Sequence, residues 1–151
     1  MEARLSVRGT APSIYQTLLD LFQKDYQSAT GQAIQLEAIR EGLTYIKHFG
    51  KQKEQSVRIT VGELIPNKQY TVAVQSNRGV QWITYQLQPL EDGRTEVTYT
   101  EDYLPEGKFQ QWNYRLLLPL MRKGLEKRMT LQIEKLAEFA EKRRFPKWIH
   151  F

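Results

Sequence analysis

From Leu43 to Tyr103 apolar and polar residues alternate in short runs, and only a few residues, rich in turn formers, separate each run from the next. Leu43, Tyr45 and Phe49 form the first set, Val57, Ile59 and Val61 the second, and Tyr70, Val72 and Val74 the third. Ile83, Tyr85 and Leu87 follow, then Val97, Tyr99 and Tyr103. A period of two marks a strand with one buried face. The gaps hold Gly50 to Gln55, Pro66-Asn67-Lys68, Asn77-Arg78-Gly79 and Asp92-Gly93, which supply the φ values that tight turns need. Parallel neighbours need a crossover of about a dozen residues or more, so strands joined this closely pair only antiparallel. The middle of the chain is an antiparallel meander.

The flanks change period. Leu5 and Val7 alternate with Arg4, Ser6 and Arg8 up to Gly9, giving a sixth strand ahead of the meander. Pro12 and Ser13 then open a stretch in which Ile14, Leu18, Leu21 and Phe22 recur at helical spacing until Ala29-Thr30-Gly31. One helix, or two short ones broken between Asp20 and Asp25, fits this spacing. After Pro105-Glu106-Gly107, Leu117, Met121, Leu125, Met129, Ile133, Leu136 and Ala140 recur every three or four residues, the stripe of a long amphipathic helix. Pro119 lacks a backbone donor and predicts a kink or a new helix start there. No repeat or linker interrupts the order, so residues 1–151 are expected to form one domain, with 145–151 as an aromatic and basic tail.

At 17.8 kDa a fold buries roughly 69% of its unfolded surface, enough for one sizeable core. The chain has no cysteine, which excludes disulfides, thiolate metal sites and a cysteine nucleophile, and suits a reducing compartment. Leu116 to Met121, the longest apolar stretch, is far shorter than the ~18 residues of a membrane span. Met1-Glu2-Ala3-Arg4 leads straight into alternating residues with no apolar signal region, and a cytoplasmic location is expected. The net charge of +5 is unevenly placed: residues 1–104 carry 11 Lys or Arg against 12 Asp or Glu, and residues 105–151 carry 11 against 5. Such a basic last third suits either phosphate and anionic lipid or a solvated helix whose cations complement its own dipole.

Strand, helix, five-strand meander and one long C-terminal amphipathic helix is an order that resembles the START-like (SRPBCC) superfamily, the helix-grip fold of plant allergens, lipid-transfer domains and aromatase/cyclases. Gly42-Leu43-Thr44-Tyr45-Ile46-Lys47 and Lys123-Gly124-Leu125-Glu126-Lys127-Arg128 look like an uncharacterised family of short bacterial proteins within it. The resemblance implies an α+β fold in which a curved antiparallel sheet of about six strands wraps the C-terminal helix and leaves a cavity between them. Six strands rather than seven, and a chain that runs on past the helix, depart from the better-known members.

If the concave side of the sheet is its apolar face, Tyr45, Tyr85, Tyr99 and Tyr103 point toward the C-terminal helix. Each offers an amphipathic ligand an apolar ring and a hydroxyl. Glu101 shares their parity, as Lys47 shares that of Tyr45, and a buried carboxylate without a partner is costly. The candidate ligand-binding set is therefore Tyr45, Lys47, Tyr85, Tyr99, Glu101 and Tyr103 from the sheet, with Trp112, Leu117 and Met121 from the C-terminal region. Lys47 and Glu101 are expected to pair and orient a head group. The alternative leaves the tyrosines as plain core and both charges at the rim. Asp102 and Glu63 are weaker candidates, since a bulge at Gly62 would reset the alternation around Glu63.

Trp82 opposes the inward parity and either covers the outer sheet face or meets a second copy. No catalytic residue, metal site or cofactor is expected: His48 and His150 stand in no ligand spacing, and the nine glycines form no phosphate loop. An acid/base role of Glu101 or a tyrosine is the one catalytic option left open. The expected partner is a small apolar or amphipathic molecule, with a homodimer as a further option and nucleic acid disfavoured. The competing reading is an interaction module whose sheet, basic helix and tail bind a macromolecule over a filled cavity.

Overall fold

The turn chemistry resolves into a six-stranded sheet. The computed structural model describes residues 1–53, 55–105, 124 and 126–142. Strand β1 (Glu2–Arg8) precedes helix α1 (Ala11–Thr30), and a short 3₁₀ turn (Leu36–Ala38) leads into β2 (Thr44–Phe49). Strands β3 (Gln55–Ile65), β4 (Gln69–Ser76), β5 (Gly79–Pro89) and β6 (Arg94–Pro105) follow, and the C-terminal helix α2 is described over 126–142. Trp112, Leu117, Met121, Pro119, His150 and the tail 145–151 lie outside the described residues.

All pairings are antiparallel, in the order β1-β6-β5-β4-β3-β2. The meander therefore runs β2 to β6 as expected, and β1 closes beside β6. At Asp92-Gly93 the glycine adopts φ 78°, the left-handed conformation that this hairpin requires. Between Val61 and Leu64 the β3–β4 register slips, with two residues of β3, Gly62 and Glu63, set against one of β4, Thr71. This is the bulge expected near Gly62; it bends β3 and turns Glu63 to the outer side, where Gln69 Nε2 donates to its carboxylate at 3.1 Å.

Helix α1 is one continuous element, not two. Thr10 caps it, its side chain accepting from the Ser13 N–H at 3.2 Å, and Pro12 sits in the first turn, where its missing donor costs nothing. Asp20 to Asp25 does not break it, because Leu18, Leu19, Leu21, Phe22 and Tyr26 keep a helical stripe against the sheet across that polar stretch. Both helices lie on one face of the curved sheet, a helix-grip-like α+β arrangement. From α2, Met129, Ile133, Leu136 and Ala140 are buried beside Ile14, Leu18 and Phe22 of α1 and Val61, Val72, Val97 and Tyr99 of the sheet. The outer face is largely polar, and its exposed large apolar side chains include Ile46, Ile65 and Trp82. This indole lies over Gly62, where a Cβ would stand 3.3 Å from its ring and 3.0 Å from the Thr71 methyl. Trp82 thus packs over Gly62 on the outer sheet face and remains 38% exposed.

Candidate functional site

The ladder register lines up the inward side chains in rows. Tyr70, Tyr85 and Tyr99 stand opposite one another on β4, β5 and β6. Val72, Ile83 and Glu101 form the next row, and Val74, Gln81 and Tyr103 the one after, continued by Ile59 and Tyr45 on β3 and β2. The first row is a ladder of rings: Tyr70 and Tyr85 meet edge-on with centroids 6.1 Å apart, and Tyr85 and Tyr99 are tilted at 4.9 Å. All three are buried.

Glu101 is buried at the end of this ladder. The Tyr99 hydroxyl donates to its Oε1 at 2.9 Å, and Arg128 Nη2 from α2 donates to Oε1 at 3.0 Å and Oε2 at 2.5 Å. Helix α2 thus meets β6 through a charged contact whose carboxylate is buried and whose guanidinium is half exposed. The carboxylate raises the Arg128 pKa above its ordinary value, chiefly through that hydrogen bond. Burial pushes the Tyr85 hydroxyl up to about 12, reinforced by the Glu101 charge and opposed by a hydrogen bond with Gln132 of α2. Tyr99 is raised further, first by burial and then by the adjacent carboxylate, and Tyr70 is raised by burial and by Tyr85. At neutral pH these phenols are neutral hydrogen-bonding groups. They can orient a polar atom, and none is activated as a base or nucleophile.

Lys47 and Glu101 do not pair. β2 and β6 are four strand steps apart, roughly 19 Å along the sheet, beyond the reach of the two side chains. Lys47 Nζ instead donates to Asp25 Oδ1 of α1 at 2.6 Å, and the Tyr45 hydroxyl donates to Asp25 Oδ2. Tyr45 packs edge-on against Phe22 and Tyr26, so it belongs to the contact between β2 and α1. Its pKa is raised by burial first and by Asp25 second. Tyr103 keeps the inward parity, but its hydroxyl donates to the Arg78 carbonyl at 2.7 Å, which ties β6 to the β4–β5 hairpin.

The sheet's candidate residues thus fall into three groups: Tyr85, Tyr99 and Glu101 against α2; Tyr45 and Lys47 against α1; and Tyr103 at the hairpin. Arg128, Gln132, Tyr70 and Asp25 complete the first two and were not singled out from sequence. Arg128 carried a usable signal, because it directly precedes Met129 and so flanks the apolar stripe of its helix. Asp25 carried a similar one, between Phe22 and Tyr26. Among the described residues no group of three or more metal-ligating side chains occurs, no helix is long and apolar enough to cross a membrane, and every buried side-chain polar atom has a partner.

Residues 1–122 match the model of a domain of unknown function, DUF3284. The chain belongs to the DUF3284 family. Among curated proteins none matches it. Solved structures that it resembles are distant in sequence and share the fold. A protein of unknown function from Staphylococcus aureus matches with a TM-score of 0.63 at 12% identity, covering 95% of this chain and 94% of that one. A protein from Thermus thermophilus matches with a TM-score of 0.59 at 16% identity, covering 96% and 100%. DynU16, from the dynemicin biosynthetic locus, matches with a TM-score of 0.59 at 11% identity; 93% of this chain is covered, but the chain spans only 46% of that protein's length.

Proposed function

We propose that this DUF3284 protein is a START-like binding protein that holds a small apolar or amphipathic molecule between the concave face of its sheet and its C-terminal helix. The observation that carries the reading is the row Tyr70-Tyr85-Tyr99, whose Tyr99 hydroxyl meets Glu101 of the neighbouring row and, through it, Arg128: an aromatic wall beside one charged, hydrogen-bonded pair. Apolar burial against the rings would supply most of the affinity, while the Tyr85 and Tyr99 hydroxyls and the Glu101–Arg128 pair would orient a polar end. Tyr45, Lys47 and Tyr103 are assigned to the margins of the site, and Trp112, Leu117 and Met121, which lie outside the described residues, stay in the proposed ligand-binding set from their sequence pattern. No catalytic step, metal or cofactor enters this reading.

Native mass spectrometry of the purified protein, followed by organic extraction, tests it directly. An extra mass lost on denaturation is expected. Titration with 1-aminoanthracene, an uncharged fluorescent probe, should show saturable binding that Tyr99→Ala weakens; Tyr99→Phe repeats the test if the alanine variant does not fold. A bare mass together with no saturable probe binding would refute the reading.

The competing interaction reading draws on Trp82, which leaves an indole 38% exposed on the outer face, and a second copy is the occupant we propose for it. Sedimentation of the protein and of Trp82→Ser decides it, since a dimer that survives the substitution, or a wild-type monomer, removes the outer face from consideration. Nucleic acid is a poorer occupant for α2: residues 126–142 carry four Lys or Arg against four Glu, so the C-terminal positive excess lies elsewhere in the chain.

A further inference from the structure

Leu131 and Phe139 of α2 are the most exposed large apolar side chains among the described residues, at 48% and 49%. Scattered singly they would need no explanation, but their spacing brings them together. At about 100° per residue, Leu131, Lys135, Phe139 and Lys142 fall within about 80° of the helix circumference, on the side turned away from the buried Met129, Ile133, Leu136 and Ala140. The four glutamates of 126–142, at 126, 134, 138 and 141, all fall to the other side of Leu131. Lys135 and Lys142 are exposed, and neither forms an ion pair among the described residues. The result is a stripe of alternating apolar and cationic side chains, roughly 16 Å long, with the acids segregated beside it. Past residue 142 the sequence continues Arg143-Arg144-Phe145-Pro146-Lys147-Trp148-Ile149-His150-Phe151, again cations and large apolar residues, without one acid.

The shape of the stripe limits what can cover it. It is the crest of a surface helix and therefore convex, whereas a small ligand needs a concavity and a folded partner needs about 1,000 Å² or more of matching surface. A lipid headgroup layer yields to a convex ridge: Leu and Phe sink toward the acyl boundary while Lys stays among the phosphates. We infer that this stripe of α2, together with the basic and aromatic stretch that follows it in the sequence, docks the protein peripherally on an anionic membrane surface. The segregation of the glutamates supplies the charge complementarity, since the side that meets the lipid carries cations only. None of Tyr70, Tyr85, Tyr99 or Glu101 takes part, so the inference stands or falls apart from the concave-face proposal.

The test is co-sedimentation of the chain of residues 1–151 with vesicles of equal parts phosphatidylglycerol and phosphatidylcholine, beside vesicles of phosphatidylcholine alone. Pelleting is expected with the mixed vesicles at low ionic strength, and should fall with added salt and on the uncharged vesicles. Leu131→Ser and Phe139→Ser should each weaken partitioning about fivefold, as should Lys135→Gln. Glu134→Gln, on the other side of the helix, should not weaken it. Lys135→Gln removes no packing, so it keeps the test decisive if a serine variant does not fold.

Because the chain has no cysteine, a single one carrying the fluorophore NBD can be introduced at a chosen place. The label on Phe139→Cys should brighten and shift to the blue when phosphatidylglycerol vesicles are added, and the label on Glu134→Cys should respond much less. No pelleting with the mixed vesicles would overturn the inference, as would pelleting indifferent to both Phe139→Ser and Lys135→Gln, or an equal response from the two labels. A dimer in sedimentation velocity that Phe139→Ser dissociates, with no vesicle binding, would instead assign the stripe to a second copy of the chain.

Discussion

Removing Arg128 while leaving Glu101 in place would strand a carboxylate whose side chain is only 10% exposed. In Arg128→Met the Tyr99 hydroxyl would be its one remaining side-chain donor among the described residues. Breaking a buried pair from one side costs about 3–5 kcal/mol, whereas an exposed pair is worth about 0.2–1 kcal/mol. Arg128 is 51% exposed, so water would reach the abandoned oxygens in part and the cost should fall between these limits, at about 2 kcal/mol. For a domain of this size that is a fall in Tm of about 4–8 °C. Glu101→Gln keeps the volume and the acceptor for Tyr99 but removes the charge, so Arg128 loses its partner without leaving an ion buried.

Urea denaturation of the wild type, the two single variants and the double variant completes the cycle. The double variant should recover about 1–2 kcal/mol relative to the sum of the singles, because the stranded carboxylate is gone. If Arg128→Met stays within about 0.5 kcal/mol of wild type, or the two changes simply add, then α2 is not held to β6 by this contact and the argument from burial is wrong.

Alkaline pH should destabilise the fold through the buried phenols. A tyrosine raised from 10.0 to about 12, as Tyr85 is, contributes stability that is fully present below pH 10 and is lost as pH rises toward 12, because only the unfolded chain ionises in that window. Tyrosinate absorbance should therefore rise together with loss of circular dichroism, and Tyr85→Phe should flatten the loss of stability; early, independent ionisation of all tyrosines would contradict it. Gly62→Val should cost about 1–3 kcal/mol, since its Cβ would press on the Thr71 methyl at 3.0 Å and the Trp82 ring at 3.3 Å. Combining it with Trp82→Ala should return part of that cost, measured by thermal melts. Thr10→Ala removes the cap of α1 and should lower stability by about 1 kcal/mol in the same assay. Ile133→Ala, at a fully buried position of α2, should cost about 2–5 kcal/mol.

Local signals were sufficient wherever one residue's own conformation decided the outcome. Asp92-Gly93 turns because glycine accepts a positive φ, and the bulge expected at Gly62 is present because a small residue there admits Thr71 and Trp82. The inward parity of Tyr85, Tyr99 and Glu101 was readable too, since a regular strand alternates by necessity. Partnerships were not. Lys47 and Glu101 share a face and opposite charge, and on those grounds they look matched; they are separated by β3, β4 and β5.

What the sequence determined by itself is the set of elements, their antiparallel pairing and the side to which most residues point. Each of these follows from spacing along the chain, with hydrophobic period setting the element and loop length setting the direction of the next strand. Only the tertiary structure decided that Glu101 is answered by Arg128 and that Asp25 takes both Tyr45 and Lys47. The physical reason is that a side chain's partner depends on strand order and on how each helix is rotated about its axis over the sheet. Those are set by the packing of the whole core, to which no single stretch of sequence has access.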